Sequence, residues 1–321
     1  MTIPTLDQIQ DAAAALRGHT LETPVLPLMS DRWRAVLPDA ASVTLKLELF
    51  QQTGSFKARG AYLGMLGLTD SQRASGVVAA SGGNHALAVA WAARAVGVSA
   101  LIAMPRATDP VRVKGCEALG AEIVLCDDMA AAFAVMEQEA AKGRALMHPF
   151  EADHMILGAA TLGLEVARQM PEAQVFIIPV GGGGLIAGMA AGIKAVRPDA
   201  RIIGVEPLGA DSMHRSFAAG LPVTLDRVAT IADSLGSPKA LPMTYEAARE
   251  HVDRIVHVTD DDLRRGMRLY LQNAAILAEP ACAASLAGCL GPLRDAVAGL
   301  HVGLIACGSN IAMDRFVELT R

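Results

Sequence analysis

Lys57 stands in LELFQQTGSFKARGAY, residues 47–62, between Phe56 and a run of small residues and two positions before Arg59. A poorly solvated amine beside a second cation has its pKa lowered, and the neutral form is the nucleophile that attacks a carbonyl to give a Schiff base. A single lysine is more often a solvated surface charge. Three small loops make this one worth pursuing: Ser81-Gly82-Gly83-Asn84-His85, Gly181-Gly182-Gly183-Gly184 and Cys307-Gly308-Ser309-Asn310. Four consecutive glycines let the backbone approach a ligand closely, and N–H groups leading into a helix suit a phosphate. No Gly-Lys-Ser/Thr follows them, which disfavours a triphosphatase. Gly182, Gly184 and Ala187 also satisfy G-x-G-x-x-A, with Glu206 placed to read a ribose hydroxyl, so a dinucleotide site stays open. The first loop can hold an anion or offer a base.

The elements that must carry these loops follow a regular rhythm. Short apolar runs, VVAAS, VSALIAMP, AEIVLCD, RALMHPF, VFIIPVG and RIIGVEP, alternate with helical patterns from residue 77 to 207. Continuous hydrophobicity marks strands buried on both faces, and strands separated by helices predict an α/β fold with a parallel sheet. Ligands gather at the carboxyl ends of such strands, where all three loops fall. The rhythm loosens through residues 207–260. It returns as helices near 261–277 and 281–290, the strand HVGLIACGS and a last helix. The first eighteen residues read as a capped amphipathic helix. Residues 173–193 carry no charge and could span a bilayer by length, but Pro179 and the four glycines suit a strand, loop and helix.

Hydrophobic residues make up 52% of the 321 and charged ones 19%, with a net charge of -5. That composition excludes disorder and gives no electrostatic reason to expect a nucleic-acid or membrane partner. The five cysteines, at 116, 126, 282, 289 and 307, contain no C-x-x-C pair and mostly sit in apolar runs. A reducing, cytoplasmic setting without disulfides or zinc is expected, and no export signal is apparent.

TGSFKARGA, SGGNHA, HPFEAD, GGGGL, GVEPLGADS, AEPACAASLAG and CGSN occur in order over nearly the whole chain. Together they resemble the fold-type II pyridoxal-phosphate enzymes, in particular the serine/threonine dehydratase and serine racemase group. The resemblance implies a fold like that of the tryptophan synthase β chain, with open, twisted, mostly parallel sheets and helices on both faces. It implies a large cofactor-binding domain from residues 1–68 and 148–321 and a small mobile one from 69–147, whose closure shields the site. Lys57 would carry pyridoxal 5′-phosphate as a Schiff base, Phe56 would pack on its ring and Asn84 would bond its 3′-hydroxyl. The backbone of Gly181, Gly182, Gly183, Gly184 and Leu185 would hold the phosphate, displacing the dinucleotide reading, and Cys307 would face the pyridine nitrogen. Ser81, Gly82, Gly83, Asn84 and His85 would receive the carboxylate of a small amino-acid substrate.

The implied reaction is dehydration: the Lys57 amine removes the α-proton, the β-hydroxyl leaves, and a 2-oxo acid and ammonia result. L-Threonine or L-serine is the favoured substrate, with hydroxyaspartate or phenylserine dehydration and serine racemisation as alternatives on the same scaffold. An NAD-dependent oxidoreductase would leave Lys57 and Asn84 without a role. A homodimer is expected. The chain ends at 321, before the regulatory domain of isoleucine-sensitive threonine dehydratases, so that feedback is not expected.

Four positions depart from or tune the pattern. Racemases of this group have a serine where Gly82 stands, so racemisation should be weak or absent. Metal-binding relatives have an aspartate where Ser212 stands; Glu206 and Ala210 match, so a magnesium or monovalent cation would be held weakly. Gly158-Ala159-Ala160-Thr161 replaces a common Gly-Gln-Gly-Thr, removing a polar side chain near the domain junction. Cys307, like the serine it replaces, is no acid, which leaves the cofactor a mild electron sink and favours prompt β-elimination.

Overall fold

The computed structural model describes residues 3–321. Residues 1 and 2 of the expected N-terminal helix lie outside the described part; the helix itself, Leu6–Leu16, opens on a capping box between Thr5 and Gln8. The strands are β1 (Val25–Pro27), β2 (Ser42–Lys46), β3 (Val77–Ala80), β4 (Ala100–Pro105), β5 (Glu122–Cys126), β6 (Ala145–Leu146), β7 (Val175–Pro179), β8 (Arg201–Pro207), β9 (Arg254–Val258) and β10 (His301–Ile305). They form a six-stranded sheet, β1-β2-β10-β7-β8-β9, and a four-stranded one, β5-β4-β3-β6. Every pairing is parallel except β1 with β2.

The helices are α1 (Leu6–Leu16), α2 (Asp31–Arg34), α3 (Lys57–Leu66), α4 (Asp70–Ser75), α5 (Asn84–Val96), α6 (Pro110–Ala118), α7 (Met129–Ala141), α8 (Asp153–Gln169), α9 (Gly184–Lys194), α10 (Ser212–Ala219), α11 (Pro242–His251), α12 (Asp260–Ala274), α13 (Pro280–Leu290) and α14 (Met313–Thr320). Strands β3 and β7 are buried along their whole length, as their unbroken apolar runs require. Residues 173–193 form β7, a loop and α9, and no described helix is long and apolar enough to cross a membrane.

Three features escape the sequence reading. RALMHPF contributes only the two-residue β6, and β1 and β2 precede the first strand anticipated. Residues 207–260, without clear rhythm, hold α10, α11 and β9. Ala159 and Ala160 do not face the site: a Cβ at Gly188 of α9 would lie 2.6 Å from the Ala159 Cβ, and one at Gly192 2.1 Å from the Ala160 carbonyl. Here α8 and α9 are in backbone contact, and nothing in the structure explains the missing polar side chain.

A buried ion quartet ties four elements together beside α3. Arg59 donates to both oxygens of Glu48, at 2.6 and 3.1 Å, and pairs with Glu165 of α8 at 2.9 Å. Lys46, at the end of β2, pairs with the same Glu165 and donates to Gln169 Oε1 at 2.7 Å. Arg59 is therefore turned away from Lys57, as residues two apart on a helix must be. Its expected role as the cation that lowers the Lys57 pKa is incorrect. Substituting Arg59→Met strands two buried carboxylates on one lysine and should cost about 3–5 kcal/mol, read as a lowered denaturation midpoint; an unchanged midpoint would contradict this account.

Candidate active site

Lys57 is the first residue of α3, and the chain before it is stitched to the loop after β10. The Phe56 N–H donates to the Cys307 carbonyl at 3.3 Å, Ser55 and Gly308 form an antiparallel bridge, and the Ser309 N–H donates to the Gly54 carbonyl at 3.0 Å. Thr53 and Gly54 both take left-handed conformations, φ 60° and 72°. For a β-branched residue that backbone is costly, and here it reverses the chain just ahead of the lysine. The amine donates to the Pro149 carbonyl and sits 4.8 Å from the centroid of the Phe56 ring.

The other two loops converge on the same place. Asn84, at the head of α5, accepts from Asn310 Nδ2 at 2.7 Å and donates from Nδ2 to Glu279 Oε1 at 2.7 Å. Asn310 donates also to the Thr53 carbonyl at 2.7 Å. Glu279, just before α13, is 1% exposed, and its Oε2 has no hydrogen-bond partner of good geometry among the described residues. The sequence points to the loop that holds Asn310 but gives that side chain no role, and it does not point to Glu279. The available signal was a carboxylate heading the otherwise apolar run AEPACAASLAG.

Two clusters of unsatisfied backbone donors flank the lysine. Among the described residues, no N–H from 181 to 186 finds an acceptor, although Gly183 caps α9 with φ 88°. Six free amides at a helix N-terminus form a cradle for a phosphate-sized anion. Side chains are excluded there, since a Cβ at Gly182 would lie 2.5 Å from the Phe150 ring. In the second cluster Ser81 Oγ accepts from the Gly83 N–H at 3.1 Å, while the N–H groups of Gly82, Asn84 and His85 have no protein acceptor. That set suits a carboxylate. A Cβ at Gly82 would meet the Thr108 hydroxyl at 2.4 Å, so Thr108 fills the space a side chain here would need. Arg112 of α6 fastens this loop across the cleft, donating to the Gly82 carbonyl at 3.3 Å, to the Asn310 carbonyl at 2.7 Å, and to Asp233 at 2.7 Å.

Burial sets the protonation states. Desolvation lowers the Lys57 pKa to about 8, with Cys307 and Glu279 opposing. Desolvation raises Glu279 to about 7, helped by Asp233 and opposed by Arg112. His85 is held well below the usual histidine range by burial and by Lys57, and His148 falls to about 4 for the same two reasons. Cys307 lies well above the usual thiol range, through its neighbour Cys282 and through burial, so it stays a neutral thiol. All five cysteines are free and buried.

Glu206, Ala210 and Ser212 lie apart from this arrangement. The Glu206 carboxyl accepts from the N–H groups of Met213 and His214 at 3.0 and 2.7 Å, capping α10. Each oxygen thus holds one helix N–H, which ties this carboxyl to the head of α10. Asp211 points to Arg215, at 2.9 Å, and is 5% exposed rather than solvated. Ser212 Oγ is buried without a partner.

A lysine with its pKa near 8 is half neutral where an ordinary one is almost wholly protonated. Cofactor-free protein should therefore capture an aldehyde such as pyridoxal at a rate that rises with pH and levels off above about 8. A rate still climbing beyond about 10 would indicate an ordinary, solvated lysine.

Comparison with known proteins gives the same assignment independently. Residues 16–308 match the model of the family described as pyridoxal-phosphate dependent enzyme. The chain is 42% identical over 310 residues to phenylserine dehydratase of Ralstonia pickettii, covering 96% of this chain and 94% of that one. It is 34% identical over 321 residues to L-threonine ammonia-lyase of Thermotoga maritima, covering 98% and 78%. The solved structure of maize serine racemase superimposes with a TM-score of 0.92 at 32% identity, covering 99% of this chain and 97% of the other. With its lysine amine, its free-amide cradle and these relatives over nearly its whole length, the chain belongs to the pyridoxal-phosphate dependent enzyme family and has the fold-type II architecture.

Proposed function

We propose that this protein is an ammonia-lyase that converts a β-hydroxy α-amino acid into a 2-oxo acid and ammonia. The observation that carries the reading is a lysine amine with pKa near 8 held between two clusters of unsatisfied backbone N–H groups, one fit for a phosphate and one for a carboxylate. The names of the relatives, a phenylserine dehydratase and a threonine ammonia-lyase, point to substrates that share the β-hydroxyl and differ beyond it.

Pyridoxal phosphate, when bound, supplies the electron sink for the α-carbon. The amides of Gly181, Gly182, Gly183, Gly184 and Leu185 would hold its phosphate, and Phe56 would pack on its ring. Asn84 Nδ2 has one hydrogen on Glu279 and a second free for the 3′-hydroxyl. Cys307, as a neutral thiol, would face the ring nitrogen and leave it unprotonated. Ser81, Gly82, Gly83, Asn84 and His85 bind the substrate carboxylate, and the neutral Lys57 amine takes the α-proton. Residues 69–147 move as a unit against 1–68 and 148–321 and exclude water on closing, with Arg112 fastening the closed form through Asp233 and Asn310. The working form is a cytoplasmic homodimer.

Purified enzyme should release ammonia and a 2-oxo acid from at least one of L-threonine, L-serine and phenylserine, and Lys57→Ala should lower the rate about a thousandfold or more. Nicotinamide-coupled oxidation without ammonia would overturn the assignment. Because position 82 has no side chain, D-serine formed from L-serine should stay below about one-hundredth of ammonia release; comparable rates would implicate a second acid/base group, with Thr108→Val as the variant to check. Activity should fall no more than about twofold on chelation, because Ser212 stands where metal-binding relatives have a second carboxylate.

A further inference from the structure

An aromatic column stands beside the Lys57 acceptor, and the reaction as described makes no use of it. Phe133 of α7 lies 6.0 Å, centroid to centroid, from the His148 imidazole, and His148 meets Phe150 edge-on at 4.8 Å and 85°. All three side chains are partly exposed rather than sealed in a core. The column also abuts the reacting groups. Lys57 donates to the carbonyl of Pro149, the residue between His148 and Phe150, and the Phe150 ring closes on Gly182 and Gly184 of the phosphate cradle.

Its charge is wrong for a second carboxylate. His148 Nδ1 accepts from the N–H groups of Phe150 and Glu151, at 3.3 and 2.9 Å, which fixes that nitrogen as unprotonated. Burial, Lys57 and Lys239 together keep the ring neutral. Arg112 is spent on Asp233 and two carbonyls. Lys239 is exposed on the solvent side. A methyl group on the substrate would leave most of this aromatic surface against water, whereas a fourth ring at the usual spacing of about 4.5–7 Å would cover it.

We propose that Phe133, His148 and Phe150 form the pocket for the substrate's β-substituent, and that this substituent is an aryl group rather than hydrogen, methyl or carboxylate. The inference rests on the ammonia-lyase reading and adds to it a substrate class and a specificity-determining residue. Phe133 is that residue, because it ends the column on the side away from the Lys57 acceptor and the phosphate cradle, so its substitution leaves both in place.

The test compares kcat/KM of the holoenzyme for 3-phenylserine, L-threonine and 3-hydroxyaspartate, in the native sequence and in Phe133→Ala and Phe133→Leu. Phenylserine should be preferred over threonine by about tenfold or more, and Phe133→Ala should cut that ratio about tenfold, chiefly through KM. A preference for threonine or hydroxyaspartate, or a ratio indifferent to both substitutions, overturns the proposal. Binding of L-phenylalanine and L-2-aminobutyrate, which lack the leaving hydroxyl, is followed by the change in cofactor absorbance and needs no turnover. Phenylalanine should bind about tenfold more tightly to the native protein, and equal affinities overturn the pocket even if the variants fail to fold. If no β-hydroxy amino acid releases ammonia, the ammonia-lyase reading fails by itself, and the phenylalanine measurement still decides the aromatic pocket.

Discussion

An amine that must be neutral, stationary and out of bulk water is the constraint around which this structure is arranged. Lys57 satisfies it because the turn before it is fixed from two sides. On one, Arg59 locks the first turn of α3 to Glu48 and Glu165 through a quartet of charges whose sum is zero. On the other, Phe56 and Gly54 are hydrogen-bonded to the loop after β10. A buried pair contributes little net stability compared with apolar packing, but it tolerates one geometry only. That geometry places the lysine at the junction of the two sheets, where desolvation, and no neighbouring cation, lowers its pKa.

Around the amine, the protein leaves backbone donors unsatisfied. Free N–H groups at the heads of α5 and α9 are a cost in the protein alone, since buried amides seek acceptors. Two anions, one the size of a phosphate and one the size of a carboxylate, would remove the cost. The glycines serve this by admitting nothing else: Phe150 stands where a side chain at 182 would be, and Thr108 where one at 82 would be. The charged side chains near the site are meanwhile neutralised or paired, His148 and His85 by burial and Arg112 by Asp233. Lys57 and Glu279 are left as the groups whose ionisation falls close to neutrality. Glu279 holds the Asn84 amide in place by accepting from its Nδ2.

Much of the fold was legible because its strands are short, continuous and separated by helices, a pattern that admits few arrangements. The elements that were missed are those without that signature. Strand β9, only two of whose five residues are buried, and β1, three residues long, owe their conformation to the neighbours they pair with. Among site residues, Lys57, Asn84 and the four glycines were legible from type and position after strands. Glu279 and Asn310 were not, because they lie 195 and 226 residues from Asn84, the side chain they bond.

By itself the sequence determined the α/β class, the three loops at strand ends and the lysine, because hydrophobic period and glycine placement are local properties that survive without a fold. The tertiary structure decided what the charges do. Whether Arg59 faces Lys57 or Glu48, whether Glu206 reads a ligand or caps a helix, and whether His148 is a cation or a neutral ring all depend on residues distant in the chain and on how much water remains around them. Electrostatic interactions are set by distance and local dielectric, and both come into being only when the chain has folded.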